Sequence, residues 1–268
     1  MIILNGFKQW DEWYKNRKIE ITKVKGASQL PQNSGVILKG DGAEQLGIVR
    51  GEYIVNPKDY RPCGISSKNE EQRIALHILK DSDVPLKIIS GVAGSGKTLL
   101  ACAHALEQLY KGDKSKIVIA KSMTPVGREI GFLKGSMEDK VKPWLGPFYD
   151  NFIHCGYADF HIDKMVEMGQ LEITPITFIQ GRSISNAIII IDEVQNLDLD
   201  VIKQIITRAA EGSEIILLGD QTQVFENRVK QRSIDILVEK AKPSELIGHV
   251  HLSNSLRSAI ADWAVLNL

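Results

Sequence analysis

The chain has 268 residues, of which 43% are hydrophobic and 25% charged, a composition typical of a soluble globular protein with one large domain or one domain and a small appendage. Basic and acidic side chains each number 33, so no overall charge favours nucleic acid, and binding of a strand would need a local basic patch. Three scattered cysteines exclude a disulfide framework, and the lack of a signal-peptide pattern or a membrane-length apolar run predicts a cytoplasmic protein with no membrane partner.

Residues 1–65 are predicted to form a small β-rich region. Glycine-containing turns separate short runs of alternating polarity, and a helical piece is expected near Trp10 and Trp13. The X-Pro pairs at 56–57 and 61–62 are typical of a linker, because the residue before proline disfavours the helical conformation.

Residues 66–268 alternate strands with helices, which predicts an α/β domain with a parallel sheet flanked by helices. Ser67 or Asn69 is expected to cap a helix that leads into the first strand, and Asp198 to cap a helix over 199–210. Nearly continuous apolar runs predict strands that are buried on both faces, at 86–90, 117–120, 176–179, 188–191, 215–218 and 249–252.

The first of these strands runs into a GxxxxGK[ST] phosphate loop. Such a loop aims backbone N–H groups and the positive end of a helix dipole at one point, which suits the phosphates of ATP. Lys97 is predicted to reach the outer phosphates, and the hydroxyl of Thr98 to bind Mg²⁺. The residues expected to bind the nucleotide here are Gly91, Ala93, Gly94, Ser95, Gly96, Lys97, Thr98 and Leu99.

Two adjacent carboxylates follow the strand at 188–191. Asp192 is the expected second ligand of Mg²⁺, and Glu193 is the expected general base that orients and deprotonates an attacking water. The chain between Thr98 and Asp192 leaves room for intervening strands, including those expected at 117–120 and 176–179. This spacing favours a RecA-like P-loop NTPase, in which another strand lies between the two nucleotide-binding strands, over a kinase-like one.

Two glutamines are further candidates. Gln223 follows the strand at 215–218, where its amide would contact the outer phosphate and sense hydrolysis; a polar turn is the alternative. Gln72 begins the helix before the phosphate loop. Its amide carries the donor and acceptor that match the edge of adenine, although an ordinary solvated helix residue explains it equally well.

Taken in order, these motifs resemble the PhoH family, ATPases whose domain is similar to the first motor domain of superfamily-one helicases. The matching segments are 91–100, 125–135, 142–150, 181–183, 192–197, 219–224 and 256–258. Val194 and Ser95 depart mildly from the family pattern without altering the site chemistry. Some family members carry a PIN-type nuclease domain before the ATPase domain, and residues 1–65 are too few to form one. The length of the chain fits a compact, phage-encoded relative.

The expected macromolecular partner is single-stranded RNA or DNA, with RNA favoured. The loop 121–125, together with Arg128, Phe132 and Lys134, is the candidate strand-binding surface; loop anchoring is the alternative for Phe132. RecA-like hydrolysis usually needs an arginine from a second domain. The chain has room for one such domain, so either hydrolysis is slow or a neighbouring subunit supplies the arginine, which predicts a head-to-tail ring. The family resemblance is compatible with a hexamer. Arg257 is the first candidate donor, followed by Arg182 and Arg232.

The sequence therefore predicts an ATPase that uses Mg²⁺ and acts as a helicase or translocase on a nucleic-acid strand. A nucleotide-gated switch that acts on a protein partner is the alternative. Glu193 and Gln223 disfavour a third function, a small-molecule kinase, because such an enzyme transfers phosphate to an acceptor rather than to water.

Overall fold

The computed structural model describes residues 1–121, 137–179, 181–220 and 233–256, apart from the side chains of 137–145. Within these ranges no helix is both long enough and apolar enough to cross a bilayer. The N-terminal part forms a sheet with the order β1-β3-β4-β5-β2 and a core of its own around Trp13 and Ile19. Its elements are β1 (Ile2–Asn5), α1 (Trp10–Asn16), β2 (Lys18–Glu20), β3 (Gly35–Gly40), β4 (Ala43–Arg50) and β5 (Tyr53–Val55).

The larger part is a six-stranded, wholly parallel sheet with helices on its faces, as predicted. Successive isoleucines of β9 point to opposite faces of the sheet: Ile188 and Ile190 lie in the core on one face, and Ile189 and Ile191 lie in the core on the other. Burial on both faces explains the unbroken apolar run. The elements are α2 (Glu70–Lys80), β6 (Leu86–Gly91), α3 (Lys97–Lys111), β7 (Lys116–Lys121), α4 (Met137–His154), α5 (Asp159–Glu167), β8 (Leu171–Pro175), β9 (Ala187–Asp192), α6 (Leu199–Ile206), β10 (Glu214–Gly219), α7 (Ser233–Ala241) and β11 (Ile247–Leu252).

The order of the large sheet is β11-β6-β10-β9-β7-β8. The strand that precedes the phosphate loop and the strand that ends in Asp192 are therefore separated by one strand, which confirms the RecA-like arrangement. That strand is β10, in which Ile215 pairs with Leu86 on one side and Ile189 on the other. β7, although it lies between β6 and β9 in the chain, is on the far side of β9.

Two predicted elements were wrong in detail. The run 176–179 is not a strand: the sheet is extended by β8 immediately before it, and Ile176–Phe178 is a 3₁₀ turn. β8 is an edge strand with mostly half-exposed residues, so it lacks a continuous apolar pattern, whereas Ile176 and Ile179 anchor the turn in the core. The helix predicted over 199–210 ends at Ile206, because the backbone near Ala210 bonds instead to Ile184 at 2.7 Å.

The small sheet is attached to the segment that enters β11. The side-chain amide of Asn33 donates to the carbonyl oxygens of Glu245 and Ile247 at 3.0 and 2.9 Å. Arg50 donates to the side-chain oxygen of the same asparagine at 2.7 Å, so both ends of the amide are bonded. The division of the chain into units 1–65 and 66–268 stays a prediction.

A group of buried charges joins the beginnings of β6 and β10. The Lys87 ammonium, which is fully buried, lies 2.6 Å from one carboxylate oxygen of Glu214, and the Lys114 ammonium lies 2.8 Å from the other. His104 approaches the same carboxylate at 3.5 Å. Burial alone would raise the pKa of Glu214, but His104 and the two lysines outweigh it and hold this pKa well below its usual range.

We expect Glu214→Gln to lower the free energy of unfolding by about 3–5 kcal/mol, because the Lys87 ammonium would be left buried without a counter-charge. Urea denaturation of the full chain measures this loss. Glu239→Gln is the matched control: Glu239 pairs with Lys242 at the surface, and its loss should cost less than about 1 kcal/mol. Equal effects of the two substitutions would contradict a structural role for the buried pair.

Candidate nucleotide-binding site

The loop between β6 and α3 has a backbone that only glycine adopts readily. Gly91, Gly94 and Gly96 have φ values of 148°, 77° and 91°. A Cβ atom on Gly91 would lie 2.3 Å from the carbonyl oxygen of Leu252, and one on Gly96 would lie 2.8 Å from Nε2 of Gln72. The glycines therefore permit both the turn and the close approach of neighbouring groups.

α3 begins at Lys97, directly after this loop, and Gly96 provides no side-chain cap. The N–H groups of the first turn, which include those of Thr98 and Leu99, have no partner within a helix and are oriented towards the loop. The Lys97 ammonium donates to the carbonyl oxygens of Gly91 and Val92 at 2.6 and 2.8 Å. The loop glycines, the start of α3 and the Lys97 ammonium thus bring N–H donors and positive charge together, an arrangement that suits an anion.

Gln72 lies against this loop and is buried. The backbone N–H of Gln72 donates to the side-chain oxygen of Asn69 at 2.8 Å. Asn69, rather than Ser67, is therefore the N-cap of α2. The Gln72 amide donates to the carbonyl oxygen of Ser95 at 2.9 Å and accepts from the N–H of Lys68 at 2.8 Å. Gln72 is therefore not a solvated helix residue; it holds the phosphate loop, and the adenine contact stays a prediction.

The acidic pair lies at the carboxyl end of β9. The N–H of Glu193 donates to Oδ1 of Asp192 at 3.0 Å, and Glu193 has a positive φ of 58°, which turns its side chain out of the strand direction. Burial and the adjacent Glu193 carboxylate raise the pKa of Asp192, while the ammonium groups of Lys121 and Lys97 act in the opposite direction. The charge of the phosphate-loop lysine thus acts on the carboxylate at the tip of β9.

Gln195 connects the tips of β9 and β10, and sequence reasoning missed it. Its amide nitrogen donates to Oε2 of Glu193 at 2.7 Å, and its oxygen accepts from the backbone N–H of Asp220 at 3.0 Å. A Cβ atom on Gly219 would lie 3.2 Å from that oxygen and 2.9 Å from Cγ2 of Val194, so the approach is tight. The sequence does contain a signal for this role: a glutamine, whose amide can both donate and accept hydrogen bonds, lies two residues after Glu193.

The segment after β11 passes over the phosphate loop of its own chain. The N–H of Leu256 donates to the carbonyl oxygen of Gly94 at 3.0 Å, and Ser253 donates to the Glu71 carboxylate through its N–H at 2.7 Å and its hydroxyl at 2.6 Å. Arg257 follows directly but lies outside the described residues, as do Gln223, Arg232 and all of the predicted strand-binding residues except Lys121, which ends β7. Arg182 is described, and both its terminal nitrogens bond Glu172, a residue of β8.

The side chains at the site fit a nucleotide with a hard divalent cation. Ser95 contributes a buried hydroxyl that has no hydrogen-bond partner among the described residues, as expected where a ligand supplies one. Thr98 and Asp192 are half-buried and offer a hydroxyl and a carboxylate, oxygen ligands of the kind that Mg²⁺ prefers beside phosphate oxygens and water. These two residues would hold the metal.

A sequence model of the family described as PhoH-like protein matches residues 64–267. The chain belongs to the PhoH family. Protein PhoH2 of Bacillus subtilis strain 168 is 34% identical over 268 residues, covering 95% of this chain and 60% of that protein. Protein PhoH of Escherichia coli K12 is 30% identical over 223 residues, covering 82% and 60%. The chain thus spans 60% of the length of each of these two PhoH relatives.

Solved structures give a weaker likeness. The large terminase of a thermophilic bacteriophage matches with a TM-score of 0.42 and 13% identity, covering 73% of this chain and 49% of that one. The Pyrococcus furiosus Hef helicase domain matches with a TM-score of 0.38 and 13% identity, covering 72% and 40%. Scores this low carry no conclusion, so the fold class rests on the strand order of this PhoH family chain.

We expect Gln195→Leu to accelerate hydrogen exchange at the Asp220 amide by about five- to tenfold, because that N–H loses an acceptor worth about 1 kcal/mol. Exchange mass spectrometry of peptides that cover the end of β10 measures the change. Gln204→Leu, the same chemical change on the exposed face of α6, is the control and should leave this exchange rate unaltered. An unchanged rate in Gln195→Leu would show that the bridge does not form in solution.

Proposed function

We propose that this PhoH family chain binds ATP with Mg²⁺ and hydrolyses it, and that hydrolysis drives an action on a single nucleic-acid strand. The observation that carries the proposal is the strand order. It brings the phosphate loop after β6 and the carboxylates after β9 to one edge of the sheet, with β10 between them. Open α/β sheets bind ligands at this edge.

Each side chain has a part in the proposed reaction. The loop N–H groups and Lys97 bind and orient the phosphates, while Thr98 and Asp192 hold Mg²⁺, which neutralises charge on the transferred phosphoryl group. Glu193 orients a water and accepts its proton. Gln195, through its 2.7 Å hydrogen bond, fixes the direction of the Glu193 carboxylate. Gln223 would sense the outer phosphate.

Action on nucleic acid is supported by family membership, and RNA is proposed as the preferred strand. Completion of the site by an arginine from a neighbouring subunit, with Arg257 as first donor, is proposed together with a hexameric ring. A closed ring offers each site the same neighbour, so that one arginine per chain serves every site.

We expect Glu193→Gln to reduce ATP turnover by about a hundredfold or more while ATP binding is retained, because the amide preserves the shape but cannot accept the proton. Lys97→Ala is the contrasting variant, and its main effect should be weaker ATP binding. Steady-state hydrolysis and equilibrium binding of a fluorescent ATP analogue separate the two. Turnover close to the parent level in Glu193→Gln would refute the assignment of the base.

We expect single-stranded RNA to raise the ATP hydrolysis rate, and single-stranded DNA to raise it less, because a translocating enzyme couples strand contact to turnover. The rate is measured with oligo(U), with oligo(dT) and with no strand. Hydrolysis that neither strand stimulates would favour the nucleotide-gated switch on a protein partner. Transfer of the phosphate to a small acceptor would favour a kinase.

A further inference from the structure

A basic cleft of about 790 Å³ lies between the small sheet and α2, outside the nucleotide-binding site. Its walls come from the end of α1, the start of β2, the linker after β5 and one side of α2. Six of the lining residues are basic, namely Arg17, Lys18, Arg50, Lys58, Arg73 and Lys80. The cleft also contains three carboxylates, of Asp59, Asp81 and Asp83.

These three carboxylates already form ion pairs with nearby arginines. Arg50 lies 2.7 Å from the Asp81 carboxylate and 3.8 Å from that of Asp83, and Asp59 lies 3.2 Å from Arg61, outside the lining. The remaining five cations of the lining form no ion pair with any described carboxylate. The cleft thus carries an excess of positive charge that the described part of the chain does not neutralise.

Two of these cations lie on aromatic rings. The Lys18 ammonium is 4.5 Å from the centre of the Tyr53 ring, and the Lys80 ammonium is 5.4 Å from the centre of the Tyr60 ring. The rings support the lysines from below and keep their charged ends at the surface. Tyr60 is also buried, and the lysine covers one face of Tyr53, so the two rings offer little area for stacking on a base.

His77 forms part of the floor of the cleft. Its Nδ1 accepts a hydrogen bond from the backbone N–H of Lys58 at 3.0 Å, which fixes the linker against α2. Burial lowers the pKa of His77 to about 4, and the charges of Arg50, Lys58 and Lys80 act in the same direction against that of Asp81. Three of the cations and one carboxylate of the lining thus act on this ring.

The spacing of the cations suits an extended polyanion. Arg73 and Lys80 are seven positions apart on α2, or about 10 Å along its axis, so a polyanion that contacts both must extend along the helix. Arg17, Lys18 and Lys58 face this row from the other wall. The cations of the lining outnumber its two side-chain amides, those of Asn16 and Asn56, and a row of charges recognises phosphates rather than bases.

We propose that this cleft binds the phosphate backbone of a single nucleic-acid strand, independently of base sequence. The inference rests on the proposed action on nucleic acid and adds a contact surface at a place where no motif predicted one. Arg73 follows Gln72 in α2, and Gln72 bonds the phosphate loop through Ser95. A strand in the cleft and a nucleotide at the loop would therefore contact the same helix.

The test is binding of fluorescein-labelled oligo(U) and oligo(dT) to the full chain, followed by fluorescence anisotropy over a range of salt concentrations. We expect Lys58→Glu/Arg73→Glu to raise the Kd about tenfold or more. The slope of log Kd against the logarithm of the salt concentration should fall by about 1.4. Each phosphate contact to a single strand contributes about 0.7 to this slope, and the double variant loses two such contacts. Lys8→Glu/Lys25→Glu is the control, with the same charge change at exposed positions outside the cleft.

The neutral variant Lys58→Gln/Lys80→Gln guards against misfolding, since both side chains are exposed, and it should also weaken binding. If the parent chain binds neither oligonucleotide, the proposed function fails along with the cleft. If the parent binds but the cleft and control variants weaken equally, only the cleft inference fails. If the cleft variants no longer bind inorganic polyphosphate but still bind both oligonucleotides with the parent Kd, the cleft binds a free phosphate chain and the assignment to nucleic acid is wrong.

Discussion

Backbone hydrogen bonds between three neighbouring parallel strands hold the candidate site together. β10 pairs with β6 through Gly219 and Ser90 and with β9 through Leu217 and Ile191, so the three carboxyl ends are fixed side by side. A one-residue slip in either pairing would exchange the faces on which the side chains lie. Because four consecutive isoleucines fill both faces of β9, the pairing with β10 and β7, rather than an alternation of polarity, fixes the position of the acidic pair.

Much of this arrangement could be predicted from the sequence because the strands of the large sheet are buried on both faces and therefore leave long apolar runs. The phosphate loop is equally readable, since its glycines follow from backbone conformation. β8 was misplaced for the converse reason: an edge strand contains residues such as Glu172, which pairs with Lys116 and Arg182, and its pattern resembles a loop. The identity of the strand between β6 and β9 could not be predicted, because pairing across a sheet leaves no local signal.

The site also contains contacts that no motif describes. Gln72 and Gln195 each form a hydrogen bond to a backbone group that is distant in the chain. The Gln72 amide donates to the carbonyl oxygen of Ser95, and the Gln195 oxygen accepts from the N–H of Asp220. A side-chain amide can serve many purposes, so its partner becomes known only when the fold is known. Both glutamines join segments that a bound nucleotide would contact, and they give the loop and the strand tips a common hydrogen-bonded frame.

The buried charges at the opposite end of the sheet have a mechanical consequence. Lys87 and Glu214 join β6 and β10 where these strands begin, and separating a buried pair of this kind costs several kcal/mol. Sliding of one strand along the other is therefore opposed at its base. In the proposed ATP cycle, the paired strands would therefore serve as a rigid base that keeps the ends of β6 and β10 at a constant spacing.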